Sequence, residues 1–454
     1  MTTRPRRPMN RIARAAALAL GASLAGAAAA QSPADLLKEI QALKARVAEL
    51  EAKQGKPGAP PAGAQWGMMP EQAAEFNRIA VKTEALEDAR DASGLKLLKI
   101  SGYMDPTFVY NKRQNRAGFQ FLNAVSDDFY NYDNSYFGAA VIDFQKETDS
   151  GTKWRLTLAP NRGVGSVVDG SSIVHEASVS VPLTDLQTRF IAGQIPDWSG
   201  YEYLQPTLNK LITHNLLFDF TVPTAYTGAG MEITSGKWIV KGMLANLNAT
   251  KRANGAKAPT LDYRVDYSRG EFQGFGFAGS HGKWANLADP NGGESRVDLF
   301  EVDGYFIRGD WTVQAQVGVG KQKDAAITPD PNTGALRDSG WWGASGLVAY
   351  KFNPRFEGTL RGDYLRNRKN GGGLLGYTTA DSRNGIGPDP AGDPEIGANR
   401  TALTLGASWL FNLNTTFKAE YRLDRASLPV FLDVKSSSFA KSNQMFGASV
   451  LVSF

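Results

Sequence analysis

Phe446-Gly447-Ala448-Ser449-Val450-Leu451-Val452-Ser453-Phe454, the last stretch of this 454-residue chain, decides its architecture. Successive side chains of a strand point to opposite faces. One face here carries Phe446, Ala448, Val450, Val452 and Phe454, and the other Gly447, Ser449, Leu451 and Ser453. Two further stretches read the same way. Trp311, Val313, Ala315, Val317 and Val319 oppose Thr312, Gln314, Gln316 and Gly318; Phe417, Ala419, Tyr421 and Leu423 oppose Lys418, Glu420, Arg422 and Asp424. One face cannot meet water and the other cannot meet lipid. A strand with its apolar face inside would read identically, so alternation alone does not say which face is outside.

The spacing of the strands adds the topology. From Lys99 to Phe454 short alternating segments are joined by two kinds of connection. Seven are tight: Asp149-Ser150-Gly151, Leu183-Thr184-Asp185, Ser235-Gly236, Ser268-Arg269-Gly270, Gly309-Asp310, Asn353-Pro354 and Asn412-Leu413-Asn414. Their Gly, Asn, Asp and Pro residues are hairpin chemistry. Eight are long and polar, roughly 111–133, 161–171, 196–223, 249–258, 284–295, 323–338, 369–398 and 426–441. Long and short alternate strictly, so fifteen connections join sixteen strands. An antiparallel meander puts every second turn at the same end. All short turns at one end and all long loops at the other means the two ends face different environments, as they do in a transmembrane barrel. The expected fold is therefore all-β: a 16-stranded antiparallel transmembrane β-barrel over 99–454.

Aromatic residues mark one end. Trp154, Trp238, Trp311, Phe352 and Phe411, with Phe144, Phe306, Phe356, Phe417 and Phe454, lie on the apolar face beside the short turns. That is the pattern of an interfacial girdle, here at the periplasmic boundary. A soluble barrel with a filled core would need fewer strands, because sixteen enclose too much space for side chains to fill.

Composition excludes several classes. There is no Cys, hence no disulfide and no thiolate site, and only three His. No metal or cofactor is expected. The net charge of +5 arises at the N-terminus, where Arg4, Arg6, Arg7, Arg11 and Arg14 stand without an acid; the remainder balances at 45 against 45. A basic surface for nucleic acid is not indicated. Residues 1–30 read as a signal peptide, with an apolar run from Ala15 to Ala27 and a small-residue cleavage site at Ala28-Ala29-Ala30. Leu36, Ile40, Leu43, Val47 and Leu50 form an a/d seam, so 31–54 reads as a short coiled-coil helix. Residues 55–98 hold a Pro/Gly linker and a second helix beginning at Pro70.

Chemistry on the barrel concentrates in the third long loop. It is long and aromatic, with Trp198, Tyr201 and Tyr203, too much so for a free surface loop, and it carries Lys210, His214 and Asp219. The inward strand positions hold nine basic and ten acidic residues, including Arg155, Arg189, Arg264, Arg361, Glu301 and Asp303. An excess of one sign at the narrow point sets selectivity, and these totals cancel. The four arginines could form an anion ladder.

The ending at Phe454 resembles the assembly signal of Gram-negative outer-membrane porins. Heptads before a barrel resemble the DcaP-like and phosphate-selective porin groups. Glu75-Phe76-Asn77-Arg78-Ile79-Ala80 with Ser101-Gly102-Tyr103-Met104-Asp105-Pro106 resembles a proteobacterial family of unknown function. The resemblance implies an outer-membrane location, lipid as neighbour, a homotrimer, an inward-folded third loop whose Lys210, His214 and Asp219 line a pore constriction, and small-molecule solutes that diffuse passively.

Other motifs fail. Gly274-Phe275-Gly276-Phe277-Ala278-Gly279 matches a dinucleotide fingerprint but precedes no helix. A lipid-hydrolase reading needs a Ser positioned by a His; His175-Glu176 beside Ser178 is the tempting cluster, and alternation turns those two neighbours to opposite faces. A secreted carbohydrate-binding β-protein would carry its aromatics on loops, against the girdle.

Overall fold

The computed structural model describes residues 42, 45, 69–120, 138–159, 173–249, 258–289 and 291–454. The expected signal peptide lies outside these, as does the expected coiled coil apart from Ala42 and Ala45, both helical. Residues up to Lys96 form one unit and those from Leu97 another. The first contains helix α1 (Pro70–Ala92), with proline at its first position and the Gln72 side chain accepting from the Met69 N–H at 3.0 Å. Phe76, Ile79 and Leu86 are exposed on it.

The second unit is a closed sixteen-strand antiparallel barrel. Its strands are β1 (Leu98–Met104 and Thr107–Asn111), β2 (Arg116–Gln120 and Ala140–Glu147), β3 (Lys153–Leu158), β4 (Val174–Pro182), β5 (Thr188–Pro196), β6 (Ala225–Ser235), β7 (Trp238–Leu247) and β8 (Thr260–Ser268). They continue as β9 (Gln273–Ala285), β10 (Glu294–Arg308), β11 (Trp311–Gln322), β12 (Ser339–Asn353), β13 (Phe356–Arg366), β14 (Arg400–Asn412), β15 (Thr415–Ala426) and β16 (Ser442–Ser453). Each pairs with its neighbours in sequence, and β16 pairs with β1, with Tyr103 opposite Ser453 and Thr107 opposite Ser449. Phe454 and Gly102 exchange backbone hydrogen bonds of 3.1 Å each way across that seam. A Cβ on Gly102 would stand 2.8 Å from the Phe454 ring, so glycine there makes room for it.

All seven tight turns stand where expected. The first long connection differs. The chain turns within Lys112–Asn115, and residues 121–137, outside the described set, interrupt β2 instead of joining β1 to β2. Asn115 takes the left-handed conformation this tight turn needs, φ 47°. β1 is itself broken at Asp105-Pro106, where the Asp105 carboxylate accepts from the backbone of Gly138 and Ala139 at 3.1 and 2.5 Å.

The ambiguity of the alternating pattern is resolved by burial. Trp311, Val313, Val317 and Val319 are exposed on the outside, while Thr312 and Gln316 are buried within. The same holds on β15, where Phe417 and Tyr421 face out and Lys418, Glu420, Arg422 and Asp424 are buried. Exposed apolar side chains around a whole barrel belong in lipid. At the short-turn end outer rings touch in a band: Trp238 with Tyr267, Trp311 with Tyr350, Phe352 with Phe356 and Trp409 with Phe417 have centroids 4.6, 4.6, 5.6 and 5.8 Å apart. Trp154 and Phe411 are exposed beside the same turns. A second aromatic pair, Trp342 with Tyr364 at 5.1 Å, sits toward the long-loop end. Trp342 and Phe352 are about 33 Å apart along β12 at roughly 3.3 Å per residue. At a strand tilt near 45° this spans about 23 Å of membrane, close to the usual apolar band.

Candidate functional site: a loop folded into the barrel

The connection 197–224 joins β5 to β6 and runs into the lumen. Its short helix α2 (Leu216–Phe220) is capped by Asn215, whose side chain accepts from the Leu217 and Phe218 N–H groups, both at 2.9 Å. Leu216 and Leu217 are fully buried. They bury against the barrel wall because the wall has been hollowed to receive them. A Cβ on Gly343 of β12 would lie 2.9 Å from Leu217 Cδ1, and one on Gly318 of β11 3.4 Å from Leu217 Cδ2. On β14 a Cβ at Gly406 would collide with Leu211 Cδ2, and on β16 Gly447 leaves 3.3 Å to Ile212 Cδ1. Four inward glycines are thus sockets for the loop's aliphatic side chains. A second loop, between β13 and β14, closes over α2: Leu374, Leu375 and Ile386 share a core with Leu216 and Phe220, and the Tyr377 ring meets Phe220 at 5.2 Å.

Charge fixes the loop in register with the wall. Arg361 on β13 has no exposed side-chain surface. It donates to Glu202 at 2.8 Å, to the carbonyls of Thr213 and His214 at 2.7 and 2.8 Å, and to Asp363 at 3.3 Å. Arg422 on β15, equally buried, donates to the same His214 carbonyl at 2.8 Å and is paired with Asp424 at 3.1 Å. Glu420 accepts from the backbone N–H of Ile212 and Thr213 at 2.7 and 3.1 Å, and also from the Thr213 hydroxyl. Lys418 donates to the carbonyls of Pro206 and Asn209, 2.7 Å each. Further round, Gly200 N–H donates to Glu301, Tyr201 meets Ser345 at 2.5 Å, and the Trp198 carbonyl accepts from Arg264 at 2.7 Å. Taking such ions out of water is costly, and the geometry offsets it by giving each guanidinium both carboxylates and carbonyls.

The expected site residues separate into two groups. Lys210 is partly exposed and paired with Glu357 at 2.8 Å. His214 is buried, with its ring stacked on Phe218 at 4.1 Å and Nε2 2.8 Å from the Tyr203 carbonyl. Asp219 is buried 4.0 Å from Arg422. Of the wall arginines, Arg361 is locked under the loop, and Arg264 is held by Asp303 and Asp266, both at 2.7 Å. Arg189 is buried near the short turns, donating to Ser180 Oγ and to the Gly151 carbonyl, both at 2.7 Å. Arg155 keeps 35% of its side chain exposed while paired with Asp143 at 2.8 Å and Glu176 at 3.2 Å. Lys241 and Glu232 form a partly exposed pair at 3.2 Å. Glu301 holds loop backbone; Asp303 holds Arg264.

Sequence reading missed the anchors Glu202 and Asn215; it placed Lys418, Glu420 and Arg422 on the inward wall but did not show that they hold the loop. The inward glycines were a readable signal, since glycine weakens a strand and marks a close approach. One expectation needs correcting. His175 and Glu176 do not face opposite ways. The β3–β4 register slips between Thr157 and Leu158, so that Thr157 faces Glu176 and Leu158 faces Val174; His175 is the bulged residue and both side chains are buried. A bulge breaks the period of two. Glu176 is taken up by Arg155 and by Ser178, whose hydroxyl donates to it at 2.7 Å.

A family model described as "Protein of unknown function (DUF3138)" matches residues 12–454. No curated protein matches the chain. Among solved structures, the outer membrane channel DcaP of Acinetobacter baumannii is similar with a TM-score of 0.52 at 11% identity, covering 79% of this chain and 97% of that one. An anion-selective porin from Comamonas acidovorans is similar with a TM-score of 0.51 at 10% identity, over 79% of this chain and 99% of that one. At these identities the likeness is one of fold: a porin-like outer-membrane barrel.

Proposed function

We propose that this chain, which belongs to the DUF3138 family, is a passive channel of the bacterial outer membrane for small polar or charged solutes, narrowed by its third loop. The observation that carries this is the inward loop itself. A closed barrel with lipid-facing aromatics outside holds residues 197–224 against β8 and β10–β16 by buried hydrogen bonds, the Arg361–Glu202 ion pair and apolar contacts, with Trp198 resting on Tyr226 and Lys241, and the passage runs along the β3–β5 side of the wall. Lys210 faces that passage together with Arg155 and Lys241, while His214 and Asp219 keep the loop seated. The short-turn girdle lies on the periplasmic side. Assembly is as a homotrimer, and no catalytic step is involved.

The accessible side chains Lys210, Arg155 and Lys241 stand beside Glu357, Asp143, Glu176 and Glu232, so cations and anions meet paired charges. Selectivity is accordingly weak. Planar-bilayer recording of the detergent-folded protein tests the reading. Conductance steps closing in threes and a reversal potential near zero in a KCl gradient are expected. Deleting 200–215 raises the unitary conductance; an unchanged value sinks the constriction.

A further inference from the structure

On the outside of the barrel, toward the long-loop end, cations gather without matching acids. Lys321 ends the outer face of β11, Arg366 that of β13, and Arg368 and Lys369 follow immediately; all four are exposed. Asp338 lies 2.9 Å from Lys321, and Asp298, opposite Lys321 on β10, is paired with Arg296 at 2.8 Å, which leaves Arg366, Arg368 and Lys369 in surplus among the described residues. These residues rim a groove of about 580 Å³ floored by Val319, Gly340 and Trp342. Trp342, paired with Tyr364, puts the rim at the level of the membrane interface.

A second outward groove, about 780 Å³, runs directly below across β11–β15, where Leu403 and the exposed Arg425 also line it. The outer positions there are small and in register: Ala315 opposes Gly346, and Gly346 opposes Gly362. A Cβ added to Gly346 or Gly362 meets nothing within 4 Å. Arg366 and Gly362 are four residues apart on β13, about 13 Å at strand rise. The two grooves therefore offer a cationic mouth at the interface and a shallow apolar furrow leading into the belt.

We infer that this face holds one membrane lipid with a net anionic, phosphate-bearing headgroup, its phosphate among Lys321, Arg366, Arg368 and Lys369 and an acyl chain along Ala315, Gly346 and Gly362. Charge complementarity selects this occupant. A second copy of the chain meeting this patch about a two-fold axis would bring like charges together, and about a three-fold axis it would have to supply matching acids from a different face. A neutral lipid would leave the cations unmatched. The inference rests on the barrel spanning a membrane and is independent of the channel reading.

The test is native mass spectrometry of the full, detergent-folded chain titrated with phosphatidylglycerol, with phosphatidylcholine and with inorganic phosphate. Wild type is expected to retain phosphatidylglycerol preferentially and inorganic phosphate poorly. Replacing Arg366, Arg368 and Lys369 by Ser lowers the preference about fivefold per cation removed. Gly346→Leu with Gly362→Leu weakens retention of both lipids and keeps the headgroup preference. These side chains point away from the lumen, so bilayer conductance stays as in wild type and failure of either reading is separately visible. Equal retention of both lipids by wild type, or an undiminished preference in the triple variant, overturns the proposal. So does a leucine pair that splits the oligomer while leaving lipid retention unchanged, since the furrow would then be a subunit contact.

Discussion

Arg361→Ala is the most informative single change, because one side chain joins the wall to the loop. Arg361 makes three strong hydrogen bonds to loop groups, at 2.7–2.8 Å to Glu202, Thr213 O and His214 O, and is the partner of Asp363. Truncating one member of a buried ion pair typically costs ~3–5 kcal/mol, because the charges left behind stay buried. Glu202 and Asp363 are those charges here. Placed on the docked loop, this lowers its docking equilibrium by roughly 150- to 5,000-fold at 1.36 kcal/mol per decade. Arg422 still holds the His214 carbonyl, so the two arginines are non-additive and the double variant is needed to apportion them. The barrel's strand pairing is untouched, and far-UV circular dichroism checks that it is folded. Single-channel recording should show a larger and noisier unitary conductance. Arg361→Lys should recover only part of the effect, since an ammonium cannot reach both carbonyls and both carboxylates with one planar fork. A folded Arg361→Ala barrel with wild-type traces would refute the reasoning, either because the loop is held elsewhere or because it does not restrict the path.

Other expectations follow from the same geometry. Gly406→Ala should drive Leu211 from its socket at a cost of ~1–3 kcal/mol and raise hydrogen exchange in 205–215, whereas outward Gly362→Ala should leave exchange there unchanged. Val317→Arg, in the middle of the outer belt, should destabilise the barrel in lipid vesicles by ~2–4 kcal/mol in urea unfolding, while Trp311→Arg at the girdle costs under ~1 kcal/mol; equal costs would contradict the assigned outer face. At the long-loop end, the hydrogen bond from Arg113 at 2.6 Å holds the Asp433 carboxyl below its ordinary value of 3.8. A depressed carboxylate contributes fully above its unfolded pKa and loses that contribution as pH falls through the folded one. Protease nicking of 427–441 should therefore be flat from pH 8 to about 5 and rise only below pH 3.8; acceleration starting near neutrality would break the assignment.

Much of this molecule is local and so was legible before folding. A period of two identifies strands, and Gly, Asn, Asp and Pro identify the seven tight turns. Trp and Phe beside those turns identify the girdle, because all three signals act within a few residues. Reading failed where a local rule was broken by a distant partner. The 112–115 turn was hidden inside a polar stretch, and the bulge at His175 appears only when β3 is laid beside β4. The sense of the charged wall was the larger miss. Counting nine bases against ten acids describes its sum. It does not separate Arg361, sealed beneath the loop, from Arg155, which keeps a third of its side chain in the open.

The sequence by itself determined most of the sheet: strand number, the seven tight turns, seven of the eight long connections, and the residues on each face away from the bulge at His175. These follow from pleat geometry and turn sterics, which reach no further than the next strand. Only the tertiary structure decided which residues of 197–224 seat against the wall, which wall charges they neutralise and which are left open. Those outcomes depend on pairs such as Arg361 with Glu202 and Ile212 with Glu420, 159 and 208 residues apart. Such pairs repay their desolvation only once the closed barrel has brought them together in good geometry.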